Sequence, residues 1–199
     1  MRAGGWQHLL GTTLRGRTLG IFGYGKIGSI VAGYGRAFGM NVLVWGREGS
    51  QSRARKDEYD VAESQRALFA ESDVLSVHLR LVDATRAIVT AADLARMKHD
   101  ALIVNTGRAE LIEGGALEAA LRAGKPGLAA VDVYEEEPIL GAQHPLLAMD
   151  NAVCTPHLGY VEKDSYELYF GQAFDNIGAF AEAKPTNVIN PEYREQGRE

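Results

Sequence analysis

Short apolar runs of strand length alternate along this chain with stretches whose apolar positions recur every three or four residues. Residues 18–22, 41–45, 74–78, 101–105 and 129–133 are such runs, and 61–62 and 152–155 are shorter ones. Ile27, Ile30, Val31, Tyr34 and Phe38 follow the first run at helical spacing, and Gly39 closes the helix they predict. The highly charged stretch 48–60 predicts a solvated turn or short helix. Further helices are predicted over 64–70 behind a serine cap, near 91–97, and over 113–123, where Leu117 and Leu121 share a face and Gly124 ends the element. The last, over 164–182, carries Leu168, Phe170, Phe174, Ile177 and Phe180. Strands alternating with helices predict an α/β fold, a doubly wound, largely parallel sheet covered on both faces.

One connection carries more than spacing. Gly23-Tyr24-Gly25-Lys26-Ile27-Gly28 joins the first strand to the first helix and reads G-x-G-x-x-G. A second strand completes a βαβ unit within about thirty residues. Gly23 allows the tight turn, Gly25 lets the backbone approach a pyrophosphate, and Gly28 lets helix and strand pack closely. The free N–H groups and positive end of the helix would hold the phosphates. Taken alone, the motif also reads as three glycines in an ordinary strand-to-helix turn. In such sheets ligands bind beyond the carboxyl ends of the strands. That rule lines up the glycine turn, Gly46 and Arg47, His78 to Arg80, Thr106 to Arg108, Asp132 to Glu137, and His157 along one edge.

Composition narrows the classes. The 199 residues suit one domain with appendages, and a hydrophobic fraction of 46% is enough for a core. A formal charge of −5 with no long basic run argues against a nucleic-acid partner and against polybasic docking to a membrane. No apolar run reaches the roughly 18 residues of a membrane span, and the N-terminus lacks the apolar core of a signal peptide. A cytoplasmic protein is the expectation. Cys154, the single cysteine, rules out an internal disulfide and reads as a buried structural thiol. No His/Asp/Glu cluster has metal-ligand spacing. His8, His99 and His144 read as surface residues. In the lead-in, Trp6, Leu9 and Leu10 are candidate anchors, and a proline-containing tail ends the chain.

Three more motifs join the glycine turn: VNTGRAELI at 104–112, AAVDVYEEEP at 129–138 and TPHLGY at 155–160. With them the chain resembles, from about residue 14 to about 160, the nucleotide-binding domain of the D-isomer-specific 2-hydroxyacid dehydrogenases. The resemblance implies a Rossmann-type dinucleotide-binding domain over 14–160. It makes 1–13 and 161–199 connecting and C-terminal segments that pack on a substrate domain mostly absent from this chain. It implies hydride transfer between NAD(P)H and a 2-keto or 2-hydroxy acid of D configuration, and a homodimer. The family's catalytic Arg, Glu and His fall on Arg108, Glu137 and His157, and its Asp near the nicotinamide on Asp132. Cofactor contacts are expected at Gly23, Tyr24, Gly25, Lys26, Ile27, Gly28, Gly46, Arg47, His78, Leu79, Arg80, Thr85, Thr106, Gly107, Arg108, Asp132, His157 and Gly159.

The residue types suit that chemistry. Reducing a ketone needs hydride on carbon and a proton on oxygen, which an imidazole such as His157 supplies near neutral pH. Glu137 can orient the ring and stabilise its charged form. Arg108 can hold a carboxylate with its planar fork. Each also has a plainer reading: Arg108 as a surface residue at a helix start, Glu137 as one of three solvated acids, His157 as a turn residue beside Pro156. Two positions depart from the family pattern. Leu79-Arg80 stands where the family has a proline. Gly46, eighteen positions beyond Gly28, stands in place of the ribose-binding acid. Arg47 follows it, which favours NADP over NAD. The rival readings are a non-catalytic cofactor-sensing regulator and a cofactor-binding fragment that serves in assembly; turnover of 2-keto acids separates them from an enzyme.

Overall fold

Each apolar run of the sequence becomes a parallel strand. A computed structural model describes residues 4, 6 and 10–190; His8, Leu9 and the tail beyond 190 lie outside the described residues. The elements are β1 (Thr18–Phe22), α1 (Lys26–Ala37), β2 (Asn41–Trp45), α2 (Glu48–Lys56), β3 (Asp60–Val61), α3 (Gln65–Glu71), β4 (Val74–Val77), α4 (Ala91–Leu94), β5 (Leu102–Asn105), α5 (Ala116–Arg122), β6 (Leu128–Val131), β7 (Ala152–Cys154) and α6 (Lys163–Ala181). The seven strands form one sheet in the order β3-β2-β1-β4-β5-β6-β7, with every pair parallel. This is the doubly wound Rossmann-type arrangement. The chain winds outward from β1 to β3, crosses back to lay β4 beside β1, and winds outward again to β7. The crossing point between β1 and β4 leaves a crevice at the carboxyl ends of the strands. Two compact units result, residues 1–156 with the sheet and residues 157–199 with α6.

Alternation along the strands sends neighbouring side chains to opposite faces. Leu19, Ile21, Val42 and Val44 join Ala32 of α1 and Ala54 of α2 in one buried cluster. Phe22, Leu75, Ile103, Ala129 and Val131 join Leu68 and Phe69 of α3, Leu94 of α4, and Leu117 and Leu121 of α5 in the other. Ser64 caps α3 by accepting the Ala67 N–H at 3.1 Å, and Gly39 and Gly124 close α1 and α5 with φ of 74° and 70°. The charged stretch 48–60 resolves into α2 and the start of β3. Helix α5 begins only at Ala116, because Gly114 and Gly115 precede it and Gly115 is left-handed.

One expectation is corrected. The apolar stripe of α1 does not face the sheet: Ile27, Ile30, Tyr34 and Phe38 are each more than half exposed, and Gly28, Ala32 and Gly35 are the buried positions. A Cβ on Gly35 would come within 2.5 Å of the Leu19 side chain. The helix therefore lies so close to the sheet that only small residues fit beneath it. Helices flank both faces of the sheet, and Leu128 and Val153 are exposed at its β6–β7 end. In the lead-in, Leu10 is fully exposed and Trp6 largely so. In the second unit, α6 has no buried residue; Leu168, Phe170, Phe174, Ile177 and Phe180 are all exposed. No helix among the described residues is long and apolar enough to cross a membrane.

At the amino edge of the sheet, Asp73 ties the two central strands together. Its carboxylate accepts the Thr18 N–H at 2.7 Å and pairs with Lys98 at 2.8 Å, while Arg17 lies at 3.9 Å. Burial alone would raise its pKa, but the Lys98 and Thr18 hydrogen bonds and the nearby charges together hold it below the ordinary 3.8. A depressed folded-state pKa contributes stability that is complete above the ordinary value and lost as pH falls through the folded one. Urea unfolding should find Asp73→Asn less stable by about 1–3 kcal/mol at neutral pH. The gap should narrow below pH 3.8; a gap independent of pH would show that the carboxylate does not act as a charge.

Candidate functional site

The glycine turn lies at the crossing point. Gly23 leaves β1 with φ 99°, and its N–H donates to the Trp45 carbonyl at 2.8 Å. A Cβ there would come within 2.8 Å of the His78 carbonyl, and one on Gly28 within 2.2 Å of the Gly23 carbonyl. Neither position tolerates a side chain without moving backbone. Gly25 differs: nothing lies within 4 Å of its would-be Cβ. It is the N-cap of α1, no side chain caps that terminus, and the first turn holds no acid. The uncapped N–H groups, the positive helix end and the open space before Gly25 fit an anionic group such as a pyrophosphate. Lys26 and Ile27 are exposed beside it. Tyr24 is buried beneath the turn, where its hydroxyl donates to Asp57 at 2.7 Å. Burial and that bond push the phenol pKa up, so only the Tyr24 backbone is open to a ligand.

Beyond β2, Gly46 leads into Arg47, the N-cap of α2. Arg47 is exposed, and its side chain has no ion-pair partner among the described residues. The other two arginines of this segment are engaged. Arg53 donates to the Tyr24 carbonyl at 2.7 Å, and Arg55 contacts Gln51 at 3.1 Å and Glu48 at 3.5 Å. Arg53 braces the turn, and Arg55 is tied to its own helix. Glu48 also accepts from Ser52 at 3.1 Å, which ties it to its own helix.

The exits of β4 and β5 run side by side. Val77 is the register partner of Asn105, and the Leu79 carbonyl is 3.9 Å from where a Gly107 Cβ would lie. His78 is half-buried with Nε2 2.9 Å from Ser76 Oγ. Burial lowers its pKa, which favours the neutral ring. Leu79 packs against the core, and Arg80 is exposed. Thr85 is buried, not presented at the edge. Its hydroxyl accepts the Val82 N–H at 2.9 Å and contacts the Arg80 carbonyl at 2.7 Å, so it pins the loop that carries Arg80. Thr106 and Arg108 are exposed and Gly107 is half-buried between them. Arg108 donates to the Gly107 carbonyl at 2.7 Å.

Beyond β6, Asp132 is buried and accepts the Thr155 hydroxyl. The acidic turn that follows is held by its own groups. Glu137 accepts the Tyr134 N–H at 2.9 Å, and the buried Tyr134 hydroxyl donates to the Thr155 carbonyl at 3.0 Å. Burial and the Cys154 thiol push the Tyr134 pKa up. Cys154 is half-buried, not enclosed. His144 is likewise no surface residue. Its Nδ1 accepts the Leu146 N–H at 3.3 Å, which leaves Nε2–H to donate to Glu135 at 3.2 Å, and its ring meets Tyr134 edge-on at 5.0 Å. His99 is exposed, as expected. A separate cavity of about 240 Å³ lies behind this edge, lined by Asn105, Ile112, Leu117, Val131, His144 and Leu146 among others; it includes none of the glycine turn.

His157 and Gly159 belong to the second unit. His157 has φ 53°, and its ring lies 5.4 Å from that of Tyr160, edge to face. Gly159 is exposed. Among the described residues no group of three or more His, Cys, Asp or Glu could hold a metal ion.

The sheet thus brings Gly23 to Gly28, Gly46 and Arg47, His78 to Arg80, Thr106 to Arg108, and Asp132 to one edge. Two supporting residues had no signal of their own in the sequence. Asn105, buried at the end of β5, donates to the Arg108 carbonyl at 2.9 Å and accepts the Gly107 N–H at 3.1 Å. Arg53 holds the glycine turn from behind. An asparagine ending an apolar run, just before a Thr-Gly turn, is the one cue that could have marked Asn105.

The family model for the D-isomer specific 2-hydroxyacid dehydrogenase NAD binding domain matches residues 1–159. A crystal structure from Ralstonia solanacearum, provisionally named a D-3-phosphoglycerate dehydrogenase oxidoreductase, is 63% identical with a TM-score of 0.86, over 92% of this chain and 53% of its own. A phosphoglycerate oxidoreductase from Vibrio cholerae O395 is 55% identical with a TM-score of 0.86, over 92% of this chain and 59% of its own. A glyoxylate reductase of Aeropyrum pernix is 43% identical over 194 residues, 94% of this chain and 56% of the relative. The chain spans little more than half the length of these proteins.

The contrast between the glycines is open to measurement. Gly28→Ala should lower the unfolding free energy by about 1–3 kcal/mol, because its methyl meets a carbonyl oxygen that cannot step aside. Gly25→Ala should cost about 1 kcal/mol or less, the effect of a poorer N-cap. Equal midpoint shifts in urea would mean that the turn relaxes freely.

Proposed function

The chain belongs to the D-isomer specific 2-hydroxyacid dehydrogenases by its NAD-binding domain, and we propose that residues 14–160 bind the cofactor of an oxidoreductase that interconverts 2-keto and D-2-hydroxy acids. The observation that carries this reading is the open, uncapped helix terminus at Gly25, at the crossing point of a parallel sheet, with Arg108 presented two strands away. Residues 1–13 and 161–199 are then segments that pack on a substrate domain. The exposed apolar side chains of α6 support that role.

The fit to a dinucleotide is local and chemical. The N–H groups of α1 would take the pyrophosphate, and the backbone of Leu79, Arg80, Thr106 and Gly107 would border the nicotinamide end. Asp132 lies nearby, and Gly159 is assigned to the same end by motif alone. When bound, the reduced cofactor supplies hydride to the carbonyl carbon. The chain's own residues do the rest. Arg108 forks onto the substrate carboxylate. His157 gives the carbonyl oxygen its proton and takes it back in the reverse direction. Glu137 stabilises the imidazolium form. The exposed apolar stripe on α1 supports self-association as a homodimer.

Cofactor choice rests on β2. A carboxylate at its end would accept from the ribose hydroxyls and repel a 2′-phosphate. Gly46 does neither, and Arg47 is uncommitted beside it. NADPH is therefore the preferred cofactor.

Two measurements test these assignments. His157→Ala should cut turnover of a panel of 2-keto acids by about 10²–10⁴ while leaving cofactor affinity nearly unchanged; near-normal turnover would remove His157 from the mechanism. Fluorescence titration should show NADPH binding about ten- to a hundredfold more tightly than NADH, the contribution of a charged hydrogen bond, and Arg47→Ala should narrow the difference. Tighter NADH binding by the wild-type chain would reverse the assignment.

A further inference from the structure

We propose that the Ser50 hydroxyl reads the 2′ position of the adenosine ribose, in the place where a side chain at position 46 would otherwise stand. This rests on the dinucleotide reading above and adds a specificity residue to it. A Cβ built on Gly46 would lie 3.1 Å from Ser50 Cβ, 3.3 Å from Ser50 Oγ and 3.6 Å from the Gly23 Cα. The space into which residue 46 would project, between the end of β2 and the glycine turn, is therefore bounded by the serine side chain. Ser50 is held there. Its N–H donates to the Arg47 carbonyl at 2.8 Å, Gln51 Nε2 donates to the Gly46 carbonyl at 2.8 Å, and Gly23 N–H fixes the end of β2.

The polarity of the hydroxyl follows from its neighbour. Arg53, anchored on the Tyr24 carbonyl, also donates to Ser50 Oγ at 3.4 Å. A guanidinium is a donor only, so the hydroxyl accepts from it and keeps its own hydrogen to give. What it seeks is an acceptor, and a charged one binds more strongly than a neutral one. The one carboxylate of this turn, Glu48, is tied to Ser52 and Arg55. Ser50 and Arg47 then receive a 2′-phosphate together, the serine as a fixed short donor and the arginine as the mobile charge. The same packing makes positions 46 and 50 compete for one space: a Cβ at 46 needs the Ser50 side chain to give by a few tenths of an ångström.

The test is cofactor binding by the 199-residue chain, read by fluorescence titration with NADPH and NADH. Ser50→Ala should weaken NADPH fivefold or more and change NADH by less than twofold. Gly46→Asp alone should gain little NADH affinity, whereas Gly46→Asp with Ser50→Gly should bind NADH at least tenfold more tightly than the single variant. Equal effects of Ser50→Ala on both cofactors, or a full NADH gain from Gly46→Asp alone, would overturn the role of Ser50 and leave the dinucleotide reading standing. A wild-type chain that binds neither cofactor would overturn both. Thermal melts of each variant separate a loss of contact from a loss of fold.

Discussion

The whole carboxyl edge of this domain depends on one close approach. The Gly23 carbonyl, the start of α1 at Gly28 and the exit of β4 at His78 meet at distances that exclude a Cβ at either glycine. Only with both side chains missing can α1 begin directly over the end of β1 while β4 passes on the other side. That sets the uncapped helix terminus at the crossing point of the sheet, and the remaining strand ends fall into line because every strand runs the same way. Arg53 and the Tyr24–Asp57 bond then fix the turn from beneath. The site is thus a product of backbone proximity more than of any one reactive side chain.

Electrostatics divides the sheet into two unlike edges. At the amino edge, the cations Arg17 and Lys98 are matched to Asp73 and Asp100. At the carboxyl edge, Arg47, Arg80 and Arg108 stand after β2, β4 and β5 with no carboxylate within ion-pair distance among the described residues. Of the acids that follow β6, Glu135 pairs with His144 and Glu137 accepts the Tyr134 N–H. The amino edge pairs its charges with one another, whereas the three arginines of the carboxyl edge stay unpaired among the described residues.

Much of this was legible in the residues. The strand runs, the serine cap of α3 and the glycine closures of α1 and α5 all follow from local rules, and the G-x-G-x-x-G turn lies between strand and helix as its spacing demands. What the sequence did not reveal was which side of α1 faces inward. Periodicity marks Ile27, Ile30, Tyr34 and Phe38 as one face, but the sheet comes too near for them, and Gly28, Ala32 and Gly35 take the inner side. His144 was misjudged in depth for a related reason. Its ring nitrogen and its face find Glu135 and Tyr134, and such pairing leaves no periodic trace. Asn105 and Ser50 belong to the same class, since their importance comes from what neighbours them only after folding.

The spacing of the strands has one more consequence. The turn after β2, with Gly46, Arg47 and Ser50, is separated from the turn after β5, with Thr106 to Arg108, by β1 and β4. Three strand spacings place them about 14 Å apart, beyond the range at which substitutions usually couple. Changes at one turn should therefore combine additively with changes at the other. Such a domain can inherit a new cofactor preference and a new substrate by separate, uncoordinated steps, in either order.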